Sequence, residues 1–494
     1  MATDVVVVGS GPNGLSAAVA LAGAGYSVEI VEARERIGGG TRTDELTLPG
    51  FRHDVCSAAH PMGILSPFFR SLPLEAHGLE WVRPEASVAH PLLDEPAIFL
   101  ETSVDTTAEG LGRDGEAWRR LVSPFLADPH SLLADALGPL GFPRKPIAFA
   151  RFGLRALWPA TLLARTLFRE RRARALFAGC AAHSILPLEQ PFTAALGLIF
   201  AVTGHVEPWP VIRGGSERLA EALVSVFRSL GGAAIRTGHR VRSLADLPPS
   251  RAVLFDTDPL QLAEIAGSEL PAGYLRRLRG YRYGPGVFKL DWALEGPIPW
   301  RDPRVRRAST VHLGGPLEEV ASSERAMYRG EVSRTPFVLL VQQSEHDPSR
   351  APEGHHTGYA YIHVPGGHHE DLTELVESRV EQFAPGFRDR IRARHAMTAL
   401  DFERYNPNWV GGAITGGAAD LFQLFTRPVA ALDPYATPNP KLFIGSASTP
   451  PGGGVHGMGG YHAARSIARQ LGGRGLPHPA DGLVPPQLGP GPDP

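Results

Sequence analysis

The chain opens with DVVVVGSGPNGLSAAVALAGAGYSVEIVE, Asp4 to Glu32. Val5 to Val8 is an unbroken β-branched run, the composition of a strand buried on both faces of a parallel sheet. Gly9, Gly11 and Gly14 follow as GxGxxG, Leu15 to Ala24 reads as a helix, and Ser27 to Val31 reads as the next strand, ending at Glu32. In this spacing Gly9 makes the tight turn. Gly11 lets backbone approach a pyrophosphate, and Gly14 lets helix and strand pack closely. Ser10, Pro12 and Asn13 fill the loop, whose following helix offers free N–H groups and a positive dipole end to phosphates. Glu32 is placed to accept hydrogen bonds from ribose hydroxyls and to repel a 2′-phosphate. Strand, loop, helix and acid together specify a dinucleotide site, where the glycine motif alone would not.

The next residues, ARERIGGGTRT (Ala33 to Thr43), resemble the RxGGxxxT extension of flavoproteins in the amine oxidase and phytoene desaturase superfamily. That resemblance implies FAD. It assigns Ala33, Arg34, Gly39, Gly40, Thr41 and Arg42 to the cofactor path, and GFRHDVCSAAHPM (Gly50 to Met62) to its continuation near the flavin. At the far end, NPKLFIGSAST followed by PPGGGVHGMGG and an alanine-rich helix pattern is similar to the superfamily's closing motif. It implies contacts from Gly445, Ser446, Gly453, Gly454, Val455 and His456. A helix N-terminus aimed at a reduced flavin would stabilise its negative charge. Mid-chain, Val241 resembles the position whose backbone pairs with adenine.

Later blocks, YGPGVFKLDWALEGPIPW (Tyr283 to Trp300) and NPNWVGGAITGGAADLFQLFTRPV (Asn406 to Val429), resemble the phytoene desaturase-like subgroup that includes the animal pyridine nucleotide-disulfide oxidoreductase domain-containing 2 proteins. The fold implied is α/β. A discontinuous Rossmann-type FAD-binding domain (residues 1–75, 205–275 and 435–475) carries an inserted α+β substrate domain (76–204 and 276–434) of mixed sheet plus helices. Residues 476–494 read as a disordered Pro/Gly-rich tail.

The implied activity is oxidation of an apolar, polyene- or lipid-like small molecule, with hydride passing to flavin N5. Alternatives are a redox-neutral flavin-dependent isomerase, an amine oxidase, and a non-catalytic FAD- or lipid-binding interaction protein. Lys289, inside an apolar strand, matches a lysine near the flavin of amine oxidases; the bland alternative is a pair with Asp291 on the same face. His456 is the histidine nearest the inferred flavin, as catalytic group or turn filler. Tyr359, Tyr361 and His363 alternate with Ala360, Ile362 and Val364 and so share one strand face, a candidate substrate wall.

Composition bounds the rest. The 494 residues are 43% hydrophobic and 20% charged, with formal net charge -2, so no basic field points to nucleic acid. Two cysteines, Cys56 and Cys180, form no CxxC pair. No spacing of histidines or acids matches a metal site, and no metal is expected. The dinucleotide motif starts almost at Met1, so a cytoplasmic location without a leader is expected. Residues 143–177 mix arginines with Phe149, Phe152, Leu157 and Trp158, a composition that suits peripheral contact with the inner membrane face as well as a solvated helix pair. The electron acceptor and oligomeric state are left open.

Overall fold

The computed structural model describes residues 3–472 except 140 and 233, together with residue 476. Beyond Leu476, the Pro/Gly-rich tail lies outside the described residues.

Five parallel strands make the first sheet, in the order Leu442–Ile444, Ser250–Phe255, Thr3–Val8, Val28–Val31, Ala234–Arg236. Val5, Val6 and Val7 are wholly buried, as their unbroken β-branching requires for the central strand. The chain leaves that strand first to one side and later returns on the other. A crevice therefore opens at its carboxyl end, the usual ligand position in such sheets. Helix Pro12–Gly23 starts there, with proline at its first position and Gly11 before it.

This first helix packs against the last one, Met458–Gln470. The approach is close: a Cβ at Gly460 would stand 1.7 Å from the Asn13 carbonyl oxygen. The glycines beginning the last helix are thus accounted for by helix contact, while those before it border the cavity described below.

The second sheet has seven strands, in the order Ile391–Met397, Gly286–Leu294, His356–Val364, Val338–Val341, Ala308–Leu313, Ala86–His90, Ile98–Glu101. All its pairings are antiparallel except that of Ala308–Leu313 with Ala86–His90. One face packs a core around Phe288, Leu290, Trp292, Ala360, Ile362 and Val364. The opposite face of His356–Val364 carries Tyr359, Tyr361 and His363 toward the first sheet's side. Helices Pro146–Ala156, Ala160–Leu167, Arg171–Ala182 and Thr193–Val206 cover the far side of this space. Thr193–Val206 is apolar all round because nearly every position is buried.

The strands of the first sheet fall in segments 1–75, 205–275 and 435–475. Those of the second fall in 76–204 and 276–434. After helix Glu217–Ser229 comes one strand, Ala234–Arg236, and Val241 lies in the following loop.

Candidate functional site

One cavity of about 640 Å³ runs from the first sheet's crevice to the tyrosine face of the second. At one end it is bordered by Gly9 to Asn13, Glu32 to Arg34 and Val241. Its middle is bordered by Gly39, Gly40, Arg42, Ser446 and Gly453 to Val455. Both chain ends and the mid-chain segment therefore meet on a single space. Gly14, Thr41, Gly445 and His456 stand behind this wall. Gly14 donates its N–H to Asp256 Oδ2 at 2.9 Å, and the Thr41 hydroxyl donates to the Gly38 carbonyl at 2.8 Å. Gly445 has no room for a side chain beside Ala463.

Glu32 is buried, and its carboxylate organises the crevice. Oε2 accepts the Ser10 N–H at 2.9 Å and the Ser10 hydroxyl at 2.6 Å; Oε1 accepts the Arg34 N–H at 2.8 Å and Arg42 Nη2 at 3.2 Å. Of these donors only the Ser10 hydroxyl rotates freely, and turning it away exposes a lone pair to a ribose hydroxyl. Arg42 also donates to the carbonyls of Arg36 and Ile37, which fixes the glycine-rich extension over the crevice.

Beneath the GxGxxG loop lies Asp256, at the end of strand Ser250–Phe255. Burial, reinforced by the nearby Glu32 charge, pushes its carboxyl up to about 8, against the pull of the Gly14 and Gly11 amides. It was not singled out from sequence, because only the fold brings it under residues some 242 positions away. Arg404 to Trp409, whose last four residues open the block that resembles the subgroup, closes the nucleotide end. There Asn408 Oδ1 accepts from the Asp258 N–H at 2.9 Å and from Gln261 Nε2 at 2.6 Å, while Tyr405 stacks on Trp409.

The other end is apolar. Ile185, Leu196, Phe200, Trp209, Leu339, Val341, Tyr359 and Tyr361 border it, with His183 and Thr310 as the polar members. The carboxylates on the cavity wall, Glu32, Asp256 and Asp258, all belong to the nucleotide end. The Tyr359 hydroxyl donates to the Cys56 carbonyl, and burial keeps its proton on. Burial also pushes the Cys56 thiol up to about 12, so it stays protonated, and both cysteines are free.

Three expected site residues are placed differently. His363 shares the tyrosine face but does not border the cavity, because helix Leu317–Tyr328 covers that end of the strand and Glu324 takes His363 Nδ1 at 2.8 Å. Lys289 is wholly buried and also off the cavity wall; it is bonded to Asp291 two residues on, and its Nζ sits 4.4 Å from the Tyr359 ring centre. His456 accepts the Met458 N–H at 3.1 Å on Nδ1, capping the last helix, and burial lowers it to about 4. Among the described residues no group of histidines, cysteines and acids is arranged to hold a metal.

An NAD(P)-binding Rossmann-like domain model matches residues 7–72. Pyridine nucleotide-disulfide oxidoreductase domain-containing protein 2 of Mus musculus is 27% identical, over 95% of this chain and 94% of that one. A limonene dehydrogenase chain from Castellaniella defragrans is 24% identical over 95% of each chain. Hydroxyneurosporene desaturase of Cereibacter sphaeroides is 26% identical, over 95% of this chain and 98% of its own. Among solved structures, an oxidoreductase from Methanosarcina mazei superposes with a TM-score of 0.62 at 15% identity, covering 94% of this chain and 100% of that one. Putrescine oxidase bound to putrescine gives 0.62 at 17% identity, covering 95% and 99%. These two share the fold.

Proposed function

We propose that this chain, a relative of dehydrogenases and desaturases of the amine oxidase and phytoene desaturase fold, is an FAD-dependent oxidoreductase acting on an apolar, polyene- or lipid-like molecule. The observation that carries this is the continuity of one cavity between a dinucleotide cradle and a wall of Ile185, Leu196, Phe200, Trp209, Leu339 and two tyrosines. FAD supplies hydride acceptance at N5 when bound. The chain's own part is to hold and shield. Glu32 and Ser10 would hold the ribose, the N-terminus of helix Pro12–Gly23 would receive the pyrophosphate, and Val241 would border the adenine. Gly453, Gly454 and Val455 border the flavin end, with the last helix starting just behind them. The apolar wall excludes water and orients a substrate without charge.

No carboxylate borders this end to pair with an ammonium, whereas Phe200, Trp209, Tyr359 and Tyr361 supply aromatic faces, so the wall alone does not separate this activity from amine oxidation. Anaerobic titration decides between them: limonene or a polyene bleaches the oxidised flavin band, and putrescine leaves it unchanged. Bleaching by putrescine alone would overturn the assignment. A flavin that no apolar compound bleaches would favour isomerisation.

An apolar substrate also needs a route to the cavity. No single helix among the described residues is long and apolar enough to cross a membrane, but Pro146–Ala156 and Ala160–Leu167 meet at 98° and expose Ile147, Leu154, Leu157 and Leu162. Lys145, Arg151 and Arg155 flank them. Phe192 and Ala194 donate backbone bonds to the Leu157 and Trp158 carbonyls, so this patch is tied to helix Thr193–Val206, which sends Leu196 and Phe200 to the cavity. Basic residues around exposed apolar ones fit the anionic cytoplasmic face of a bilayer, and peripheral contact there is part of this proposal.

A further inference from the structure

Behind the apolar end of the cavity three histidines stand in a row, His183 half-buried and His312 and His90 buried. His183, just after helix Arg171–Ala182, borders the cavity and packs on Phe200 and Trp209, with ring centres 4.5 and 5.4 Å away. Its Nε2 lies 3.1 Å from His312 Nε2 on strand Ala308–Leu313. His90, on the adjoining strand Ala86–His90, has Nε2 at 2.8 Å from the Gly315 carbonyl. The remaining nitrogens of the last two, His312 Nδ1 and His90 Nδ1, are buried without a hydrogen-bond partner. Both face the same small gap: a Cβ on Gly179 would lie 2.5 Å from one and 2.9 Å from the other.

These contacts dictate where the protons sit. A carbonyl only accepts, so His90 carries its proton on Nε2 and presents a lone pair at Nδ1. Burial lowers His183 to about 3 and His90 to about 4, and holds His312 well below its ordinary value, so all three rings are neutral near pH 7. A neutral His312 has one N–H. On Nε2 it would leave two lone pairs, His312 Nδ1 and His90 Nδ1, beside the one Gly179 gap; on Nδ1 its proton occupies that gap opposite the His90 lone pair, without a hydrogen bond between the two. The second arrangement is favoured electrostatically in a low dielectric. It leaves His312 Nε2 as an acceptor, which requires the proton of His183 on Nε2. His183 Nδ1, the other nitrogen of this cavity-lining ring, then carries a lone pair.

We propose that His183 is the catalytic base for the substrate proton, and that His312 and His90 are positioning residues that set its tautomer. This rests on the oxidoreductase reading. Bound FAD would supply the acceptor for hydrogen that leaves one substrate carbon with its electron pair. The neighbouring carbon gives its proton to His183 Nδ1, and the two carbons keep the freed pair as a double bond. A C–H beside an electron-deficient carbon is acidic enough for a weakly basic imidazole. Once protonated, His183 donates from Nε2 to His312, which spreads the charge into the row. Gly179 is the residue that makes room for it.

Ring 15N NMR of the holoprotein, labelled at histidine, tests the tautomer without any substrate. The expected spectrum shows His183 protonated at Nε2 and bare at Nδ1, and His90→Phe, which removes the lone pair at the Gly179 gap, turns it into a mixture. A His183 bearing its proton on Nδ1, or one indifferent to His90→Phe, overturns the inference. With a compound that bleaches the wild-type flavin, His183→Gln lowers the anaerobic bleaching rate by roughly 10²–10⁴-fold with FAD content unchanged. An unchanged rate overturns it. If no compound bleaches the wild type, the parent activity fails, while the NMR result still decides the tautomer.

Discussion

Asp256 and Gly14 are joined by a 2.9 Å hydrogen bond from the Gly14 amide to the Asp256 carboxylate, across 242 positions of sequence. The bond ties the end of the Ser250–Phe255 strand to the loop that opens the nucleotide crevice. It has a consequence for pH. The carboxyl is raised from 3.8 to about 8, chiefly by burial, so the folded chain holds a proton there that the unfolded chain releases above about pH 4. Stability from this group is full below pH 4 and declines as pH rises through 8.

Asp256→Asn keeps an oxygen for the Gly14 amide and carries no charge. Thermal melts from pH 6 to 9 are expected to show the wild type losing stability relative to the variant as pH rises. Parallel curves would contradict a buried, proton-holding Asp256.

Lys289 and Asp291 are both wholly buried on one face of their strand. Burial pushes Asp291 up, but Lys289 beside it, with His395 and His53 nearby, holds it below its ordinary value. Lys289→Met strands that charge, a change that typically costs about 3–5 kcal/mol. Denaturant melts should show this loss, and Lys289→Met with Asp291→Leu should recover most of it. A single variant with wild-type stability and no flavin bleaching would instead place Lys289 in the chemistry.

Gly460 is where the first and last helices touch. Gly460→Ala would set a methyl 1.7 Å from a backbone oxygen, beyond the usual overpacking cost of about 1–3 kcal/mol because backbone cannot step aside. Little folded, flavin-containing protein should be recovered. Gly78→Ala, whose added methyl meets nothing within 4 Å, should fold with only a modest loss from its left-handed backbone.

Membrane contact has its own test. The protein should float with vesicles containing anionic lipid and not with neutral ones. Binding should weaken with salt and fall further in Leu154→Ser with Leu157→Ser, both exposed side chains whose loss leaves the core intact. Equal flotation with neutral vesicles would contradict the charge argument.

The nucleotide half of the site was legible because its signals are local. Val5 to Glu32 contains strand, turn, helix and acid within one βαβ unit, and the closing glycines sit beside their own helix. The residues that were not legible act across the fold. His183 and Asp256 each lie in an unremarkable stretch, and Asn408 sits in a block that resembles the subgroup without pointing to its role; all three gain meaning from partners in other segments. Lys289 and His363 stood out in sequence as polar groups in apolar strands. Their partners, Asp291 and Glu324, satisfy them inside the protein, and only coordinates distinguish such a pair from a group turned to a ligand.

The central claim is that both chain ends grip one cofactor. Releasing the nucleotide from the purified protein by denaturation, then identifying and counting it, tests this most directly. FAD at one per chain is the expected result. Release of NAD, or a protein that neither carries nor takes up FAD, would contradict it.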